Sequence, residues 1–235
     1  MKRFSKLQLY LIAMSILLPN TEFGATTPRS AFRAPHSSQT DTGALIDGLQ
    51  AKYSRMQGLA ADFIQVYHAS DGRTKRESGT LLLKRPGKAR WNYFSPEQKV
   101  FVSDGKNIFF YVSGEKYATR SAIKQSVDPQ IPFLFLLGRT NIRRAFSSIE
   151  AMPDERAVES GNVVLRLVPK RAPEDFKRIL AEVSPQRFSV TRLVIIERSG
   201  ARMDFHLKNV RENHTASDSE FLFTPPAGVS IRQAR

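Results

Sequence analysis

Residues 79–111 read GTLLLKRPGKARWNYFSPEQKVFVSDGKNIFFY, and their pattern decides the fold class. Large apolar residues recur at alternate positions, and the pairs Pro86–Gly87 and Asp104–Gly105 separate the runs. Alternation with a period of two is typical of strands that have one buried face, and such pairs make tight turns between antiparallel neighbours. The stretch therefore predicts four short antiparallel strands, with Arg85 at the end of the first.

Strand alternation gives these strands one large apolar face. The face is predicted to consist of Leu81, Leu83, Ala89, Trp91, Tyr93, Val100, Val102, Ile108 and Phe110. A curved sheet with such a face either packs as an ordinary core or encloses a cavity for an apolar ligand. Composition favours the ordinary core, and the pattern alone leaves both possibilities open.

The flanking sequence continues the β pattern on both sides of this stretch. Further strands are predicted at 59–67, 117–123, 163–168, 178–183, 188–197, 203–210 and 220–223. About nine or ten strands at close spacing, with only two helical segments, favour a mainly β fold. We expect a single curved antiparallel sheet that forms an incomplete barrel, with no second domain.

A first helix is predicted over residues 44–56, with Asp41 or Thr42 as its N-cap. Its apolar stripe at helical spacing consists of Leu45, Ile46, Leu49, Tyr53 and Met56. This helix and a second helical segment at residues 132–138 are the two parts of the chain available to cover the apolar face.

A second helix is predicted at residues 132–138, which read PFLFLLG. Proline in the first turn and glycine at the end fit a short helix that is apolar nearly all round. Its members are Pro132, Phe133, Leu134, Phe135, Leu136 and Leu137. A buried strand is the competing interpretation of this run.

The N-terminus has the layout of a secretory signal peptide. Basic residues precede the apolar run Leu7–Leu18, which is shorter than the ~20 residues that span a bilayer, and small residues follow at Gly24–Ala25. We expect residues 1–25 to be a signal peptide, although a buried N-terminal helix is the alternative. Residues 26–42 are rich in Ser, Thr and Pro and predict a disordered linker. The folded domain is then expected over 43–235.

The charge of the chain limits the classes of binding partner, and its lack of cysteine excludes several kinds of covalent or metal site. The formal net charge of +14 suggests nucleic acid, an anionic membrane surface or an acidic protein. Export argues against genomic DNA, which leaves a membrane- or partner-facing surface or simply a solvated one. The chain contains no cysteine, which excludes disulfides, thiol-ligated metal and a lipid-anchor cysteine. We expect a soluble mature protein that does not bind nucleic acid.

No constellation of catalytic residues is apparent in the sequence. The four histidines are His36, His68, His206 and His214, and no two have the spacing of metal ligands on one element. Neither a G-x-S-x-G elbow nor a glycine-rich phosphate loop is present. We therefore expect a protein without enzymatic activity, cofactor or metal.

Four motifs in order carry a resemblance to a known family. They are GTLLLKRPGKARWNY (79–93), VSDGKNIFFY (102–111), PFLFLLG (132–138) and FLFTPPAGV (221–229). In this order and at these gaps the chain resembles the periplasmic outer-membrane lipoprotein carrier proteins, the LolA family. The resemblance covers residues 44–230, and the signal peptide and the absence of cysteine agree with it.

The resemblance implies a half-open β-barrel covered by an α-helical lid, with a cavity that shields the acyl chains of a lipoprotein. Leu45, Leu49 and Tyr53 of the first helix would line this cavity together with the strand residues named above, and residues 132–137 would be the lid helix. Cargo would come from an inner-membrane ABC-type transporter and pass to an outer-membrane acceptor. A periplasmic monomer with transient membrane contact is implied. A lipid-binding envelope sensor of similar fold is the alternative function.

Arg85 in the K-R-P motif matches the family arginine that is thought to hold the lid closed. A guanidinium at the rim of a cavity can donate up to five hydrogen bonds to the exposed carbonyls of a helix end. Incoming lipid would compete for that site. The alternative is a rim arginine that pairs with a carboxylate.

Overall fold

A computed structural model describes residues 41–123, 141–170 and 176–234. The strands are β1 (Gly58–His68), β2 (Thr74–Lys84), β3 (Lys88–Ser95), β4 (Lys99–Asp104), β5 (Asn107–Val112), β6 (Tyr117–Ala122), β7 (Phe146–Ala151), β8 (Val163–Pro169), β9 (Phe176–Ser184), β10 (Ser189–Glu197), β11 (Arg202–Glu212) and β12 (Ser230–Gln233). The helices are α1 (Thr42–Arg55), α2 (Ile142–Ala145) and a 3₁₀ helix (Asp218–Phe221). The predicted signal peptide, the lid helix and nearly all of the linker lie outside the described residues.

The described strands form one 12-stranded sheet in the order β12-β6-β5-β4-β3-β2-β1-β11-β10-β9-β8-β7. Neighbouring strands are antiparallel except for β12, which pairs in parallel with β6. β1 joins the two halves because it pairs with both β2 and β11. The sheet stays open, since its edge strands β12 and β7 are not neighbours. The predicted fold class, a mainly β protein with one curved and incomplete barrel, is confirmed.

Helix α1 forms where the periodicity predicts it. The Asp41 side chain caps its N-terminus by accepting from the amides of Gly43 and Ala44, at 2.8 and 3.3 Å. The apolar stripe that contains Leu45 and Leu49 is buried. The cap supplies acceptors for amides that have no partner inside the helix, and the stripe supplies the packing that a helix of this length needs.

Contacts with the β9–β10 turn and with the start of β10 fix α1 to one end of the sheet. The hydroxyl of Tyr53 accepts a hydrogen bond from the Val190 amide at 2.9 Å, and Lys52 donates to the Arg187 carbonyl at 2.7 Å. A Cβ at Gly48 would lie 2.2 Å from the ring of Phe188, so only glycine allows this close approach. The β2–β3 turn lies at the same end of the sheet, which we call the α1 end, and the opposite end is the far end.

The C-terminal segment differs from its prediction. The strand predicted at residues 220–223 is wrong, because residues 218–221 form a 3₁₀ helix that lies against β3 and β4. Both neighbours of β3 are already taken by β2 and β4, so the segment packs on the face of the sheet and not in its ladder. Phe221 is fully buried there, at 0% exposure.

Ion pairs hold this C-terminal segment in place. Asp218 contacts Lys84 at 2.7 Å and Lys88 at 2.8 Å. Hydrogen bonds from these two lysines lower the pKa of Asp218 to about 2. The guanidinium of Arg90 donates to the carbonyl of Glu220 at 3.1 Å. The segment is therefore a fixed cover on the sheet.

We expect the substitution Tyr53→Phe to weaken the fold. It removes the acceptor of the buried Val190 amide, and a buried donor left without a partner costs ~1–3 kcal/mol. Urea unfolding followed by far-UV circular dichroism measures the loss. Tyr117→Phe, at a ring that is 38% exposed, serves as the control and should change the free energy of unfolding by less than ~0.5 kcal/mol. Equal effects of the two substitutions would contradict the anchoring of α1 by Tyr53.

We expect Phe221→Ala to lower the free energy of unfolding by ~3–5 kcal/mol, because it leaves a cavity under the C-terminal segment. Thermal and urea unfolding both report the change. Phe94→Ala is the matched control, since that ring is 59% exposed and its removal leaves no cavity. A loss at Phe221 no larger than that at Phe94 would show that the segment does not stabilise the sheet.

Candidate functional site

Most of the predicted apolar face lies on one side of the sheet, which we call the inner face. Leu81 is opposite Trp91, and Leu83 is opposite Ala89, on the paired strands β2 and β3. Residues directly opposite each other in an antiparallel pair share a face. The register from β3 through β4 to β5 adds Ile108 and Phe110 to the same face, and alternation along β3 adds Tyr93.

The inner face continues across the C-terminal half of the sheet. Its members there, from β1 to β8, are Phe63, Leu207, Phe205, Leu193, Ile195, Ile179, Ala181, Val183, Leu165 and Leu167. Each of them is buried, with at most 5% of its surface exposed. The inner face is thus one apolar wall that runs through both halves of the chain.

The assignment of Val100 and Val102 to this wall is wrong. Val102 is opposite Arg90 and Val100 is opposite Asn92, so both valines point to the outer face. Phe101 takes the inner position between them, and its ring meets that of Trp91 edge to face, with centroids 5.3 Å apart. Val102 is fully buried because the 3₁₀ helix lies over β3 and β4 on the outer side.

The predicted helical members of the lining lie in α1. Leu45, Leu49 and Tyr53 are all buried, at 2%, 5% and 3% exposure. Their role as cavity lining stays a prediction. The predicted lid helix at residues 132–137 lies outside the described residues.

Arg85 lies at the α1 end of the inner face and contacts the end of α1. Its Nη2 donates to the carbonyl of Tyr53 at 2.5 Å, and its amide donates to the carbonyl of Gln57 at 2.9 Å. Tyr53 is in the last turn of α1, where carbonyls lack partners within the helix. The buried Nε of Arg85 has no hydrogen-bond partner within the described ranges. The latch role of Arg85 remains a prediction.

Sequence analysis missed a polar cluster on the far end of the inner face. The cluster consists of Gln65, Glu77, Tyr93 and Lys99, one residue from each of β1, β2, β3 and β4, and we call it the polar row. Burial lowers the pKa of the Lys99 ammonium and raises that of the Tyr93 phenol. Neither Glu77 nor Lys99 belongs to one of the motifs. The signal in the sequence is the alternation along β2 and β4, which puts both residues on the same face as the apolar wall.

The outer face carries a second, more open feature. A groove of about 770 Å³ lies over β1, β2 and β3 and is bordered by the end of β11 and the C-terminal segment. Its polar lining includes Asp62, which accepts from Asn209 at 2.6 Å, and Arg90, which holds the C-terminal segment. These groups are engaged in structural contacts, which makes the groove a weaker candidate than the inner face.

Two negative findings for residues 41–123, 141–170 and 176–234 bear on function. No group of three or more metal-ligating side chains occurs within them. No helix in these same ranges is long and apolar enough to cross a membrane. The inner face presents an apolar wall, with the Arg85 guanidinium at the α1 end and the Glu77–Lys99 ion pair at the far end.

Comparisons of the sequence with known proteins identify the family. The model of the family described as outer membrane lipoprotein carrier protein LolA matches residues 54–224. An outer-membrane lipoprotein carrier protein of Methylococcus capsulatus is 30% identical over 174 residues, which cover 74% of this chain and 80% of that protein. One from Yersinia pestis is 29% identical over 191 residues, covering 80% and 87% of the respective chains.

Among solved structures, a LolA superfamily protein from Nitrosomonas europaea aligns over 77% of this chain and 97% of its own, with 11% identity and a TM-score of 0.44.

The family model spans more than half of the chain, and the match begins in the last turn of α1 and ends beyond the 3₁₀ helix. The chain therefore belongs to the outer membrane lipoprotein carrier protein LolA family.

Proposed function

We propose that this protein is a periplasmic chaperone that carries lipoproteins by shielding their acyl chains against the inner face. The observation that carries the proposal is the continuous apolar wall, which extends from Leu83 on β2 to Leu165 on β8. Membership of a family whose relatives are named lipoprotein carriers supports it. An apolar wall binds acyl chains because their removal from water is favourable by ~0.8 kcal/mol per CH₂ group.

The proposed route runs between two membranes. An inner-membrane ABC-type transporter loads the acylated lipoprotein, and an outer-membrane acceptor receives it. The predicted signal peptide at residues 1–25 supports export to the space between them. The protein acts as a monomer without enzymatic activity or cofactor, and it contacts membrane surfaces transiently through its basic residues.

Arg85 is proposed to act as the latch of the lid. Its hydrogen bond to the Tyr53 carbonyl joins the rim of the inner face to the end of α1. A hydrogen bond from a charged donor contributes ~1.5–3 kcal/mol. The latch stabilises the closed form, so that closure opposes lipid binding and makes release toward the acceptor favourable.

The carrier proposal predicts that the full chain, expressed with its N-terminal segment in a bacterial periplasm, co-purifies with acylated lipoprotein. Mass spectrometry of the purified sample identifies both the peptide and its acyl groups. Leu83→Arg, which places a charge in the fully buried wall, should abolish the cargo. Leu222→Arg is the matched control, because Leu222 is 61% exposed, and it should retain the cargo.

Two outcomes would count against the carrier proposal. Lipid without attached protein would favour the lipid-binding sensor, and a sample free of both would contradict an acyl-binding role. Circular dichroism of Leu83→Arg separates loss of cargo from loss of fold.

The latch proposal predicts that Arg85→Leu retains cargo longer than the wild type. Loss of ~1.5–3 kcal/mol from the closed form shifts the balance toward the open form about 10- to 100-fold. The measurement is the rate at which loaded protein transfers lipoprotein to vesicles that contain the acceptor. Arg76→Leu, at an exposed position on the same strand, is the control and should transfer at the wild-type rate. Equal transfer by Arg85→Leu and the wild type would refute the latch.

A further inference from the structure

The polar row is an unusual feature for an apolar wall. Gln65, Glu77 and Lys99 are 3%, 2% and 7% exposed, and they lie on the same face as Leu81 and Trp91. The row crosses four adjacent strands at the far end of the inner face. Charged side chains are rarely buried to this degree, so the row requires a physical explanation.

The members of the polar row bond mainly to one another. Lys99 contacts the two carboxylate oxygens of Glu77 at 2.8 and 2.9 Å, and Gln65 Nε2 donates to Glu77 at 3.3 Å. The Tyr93 hydroxyl donates to Gln65 Oε1 at 2.8 Å, while its ring lies 4.3 Å below the Lys99 ammonium. Lys75 adds a second cation 3.5 Å from Glu77. The row is thus built to satisfy itself and not to hold a polar ligand.

Stability does not explain the polar row. Replacing a buried ion pair by apolar residues of similar volume is often neutral or stabilising, because desolvation offsets the attraction between the charges. Burial lowers the pKa of Lys99, which reflects the same desolvation cost. An apolar pair at these positions would extend the wall and remove the cost of burying two charges. The row therefore points to a role in what the wall can bind.

The position of the row suggests that role. On β2 the inner face runs from Arg85 at the α1 end through Leu83, Leu81 and Gly79 to Glu77 at the far end. At ~3.3 Å per residue the eight steps along the strand from Arg85 to Glu77 span ~26 Å. One leaflet of a bilayer core, which is one acyl chain deep, measures ~15 Å. After allowance for the two polar side chains, the apolar part of the wall matches one acyl chain in length.

We propose that the polar row is an end-stop that limits the length of the acyl chain accommodated on the inner face. This inference rests on the proposed function, namely that acyl chains lie against this wall. A methylene group pressed against the Glu77–Lys99 pair gains no apolar contact, and it would disturb charges that are almost completely buried. Chains that reach the row bind well, and further carbons add nothing.

The test is a chain-length series on the full chain after removal of its signal peptide. The probes are synthetic diacylglyceryl-cysteine peptides whose acyl chains lengthen in steps from about 10 to about 22 carbons, a range that brackets one leaflet. Below the limit each additional buried methylene strengthens binding about fourfold. In the wild type we expect this gain to stop at a defined length. A wild-type series without such a break overturns the end-stop, whatever the variants do.

Two double variants locate the end-stop. Glu77→Met with Lys99→Met replaces the pair by unbranched apolar side chains, and the break should move to chains longer by two or more carbons. Glu77→Lys with Lys99→Glu keeps a buried ion pair in exchanged positions, and it should keep the wild-type break. If the methionine variant binds with an unchanged break, the row does not set the limit.

The failure of the end-stop is distinct from the failure of the carrier proposal. If the wild type binds every peptide but shows no break, the carrier proposal stands and the end-stop falls. If it binds no peptide at any length, the proposed function fails and the end-stop fails with it. Thermal unfolding of both double variants identifies any variant that does not fold. In that case the presence or absence of a break in the wild-type series decides whether the end-stop proposal stands.

Discussion

The pairing of β2 with β3 is the constraint on which the rest of the structure depends. Because Leu81 lies opposite Trp91 and Leu83 opposite Ala89, the large apolar residues of both strands share one face. A slip of one residue would turn every one of these side chains toward the other face. The same alternation carries Arg85 to the α1 end of that face and Glu77 to its far end, so one register fixes the wall and the polar groups that bound it.

Turns and alternation predict the strands well, and the face of β4 shows where alternation fails. Val100, Phe101 and Val102 are all apolar, since β4 is covered on both sides, and hydrophobicity therefore cannot choose its inner residues. The length of the β4–β5 turn does identify the inner residues. With residues 105 and 106 between β4 and β5, the register places Ser103 opposite Ile108 and hence Phe101 opposite Phe110. Register is set by turn length as well as by pattern.

Other features are not readable from local sequence because they arise from contacts between distant segments. Phe221 lies in a stretch with strand-like composition, and its burial depends on the packing of the 3₁₀ helix against β3 and β4. The pairing of Glu77 with Lys99 depends on the registers of β2, β3 and β4 together. The contact of Arg85 differs, because the sequence predicts that its guanidinium donates to a carbonyl at a helix end. Only the identity of the partner, Tyr53, comes from the structure.

The opposed polar ends of the wall have a common physical logic for a carrier. Transfer from water is favourable by ~0.8 kcal/mol per CH₂, so about 25 methylenes reach the ~20 kcal/mol at which non-covalent affinity saturates. A carrier that filled this capacity would never release its cargo. In the proposed mechanism Arg85 limits the affinity at one end, because opening of the wall would break its hydrogen bond to the Tyr53 carbonyl. The proposed end-stop, the Glu77–Lys99 pair, would limit the affinity at the other end, because there the apolar surface gives way to charged groups. Both proposed roles would act in the same direction, toward a wall that holds lipid better than water does but less tightly than a membrane.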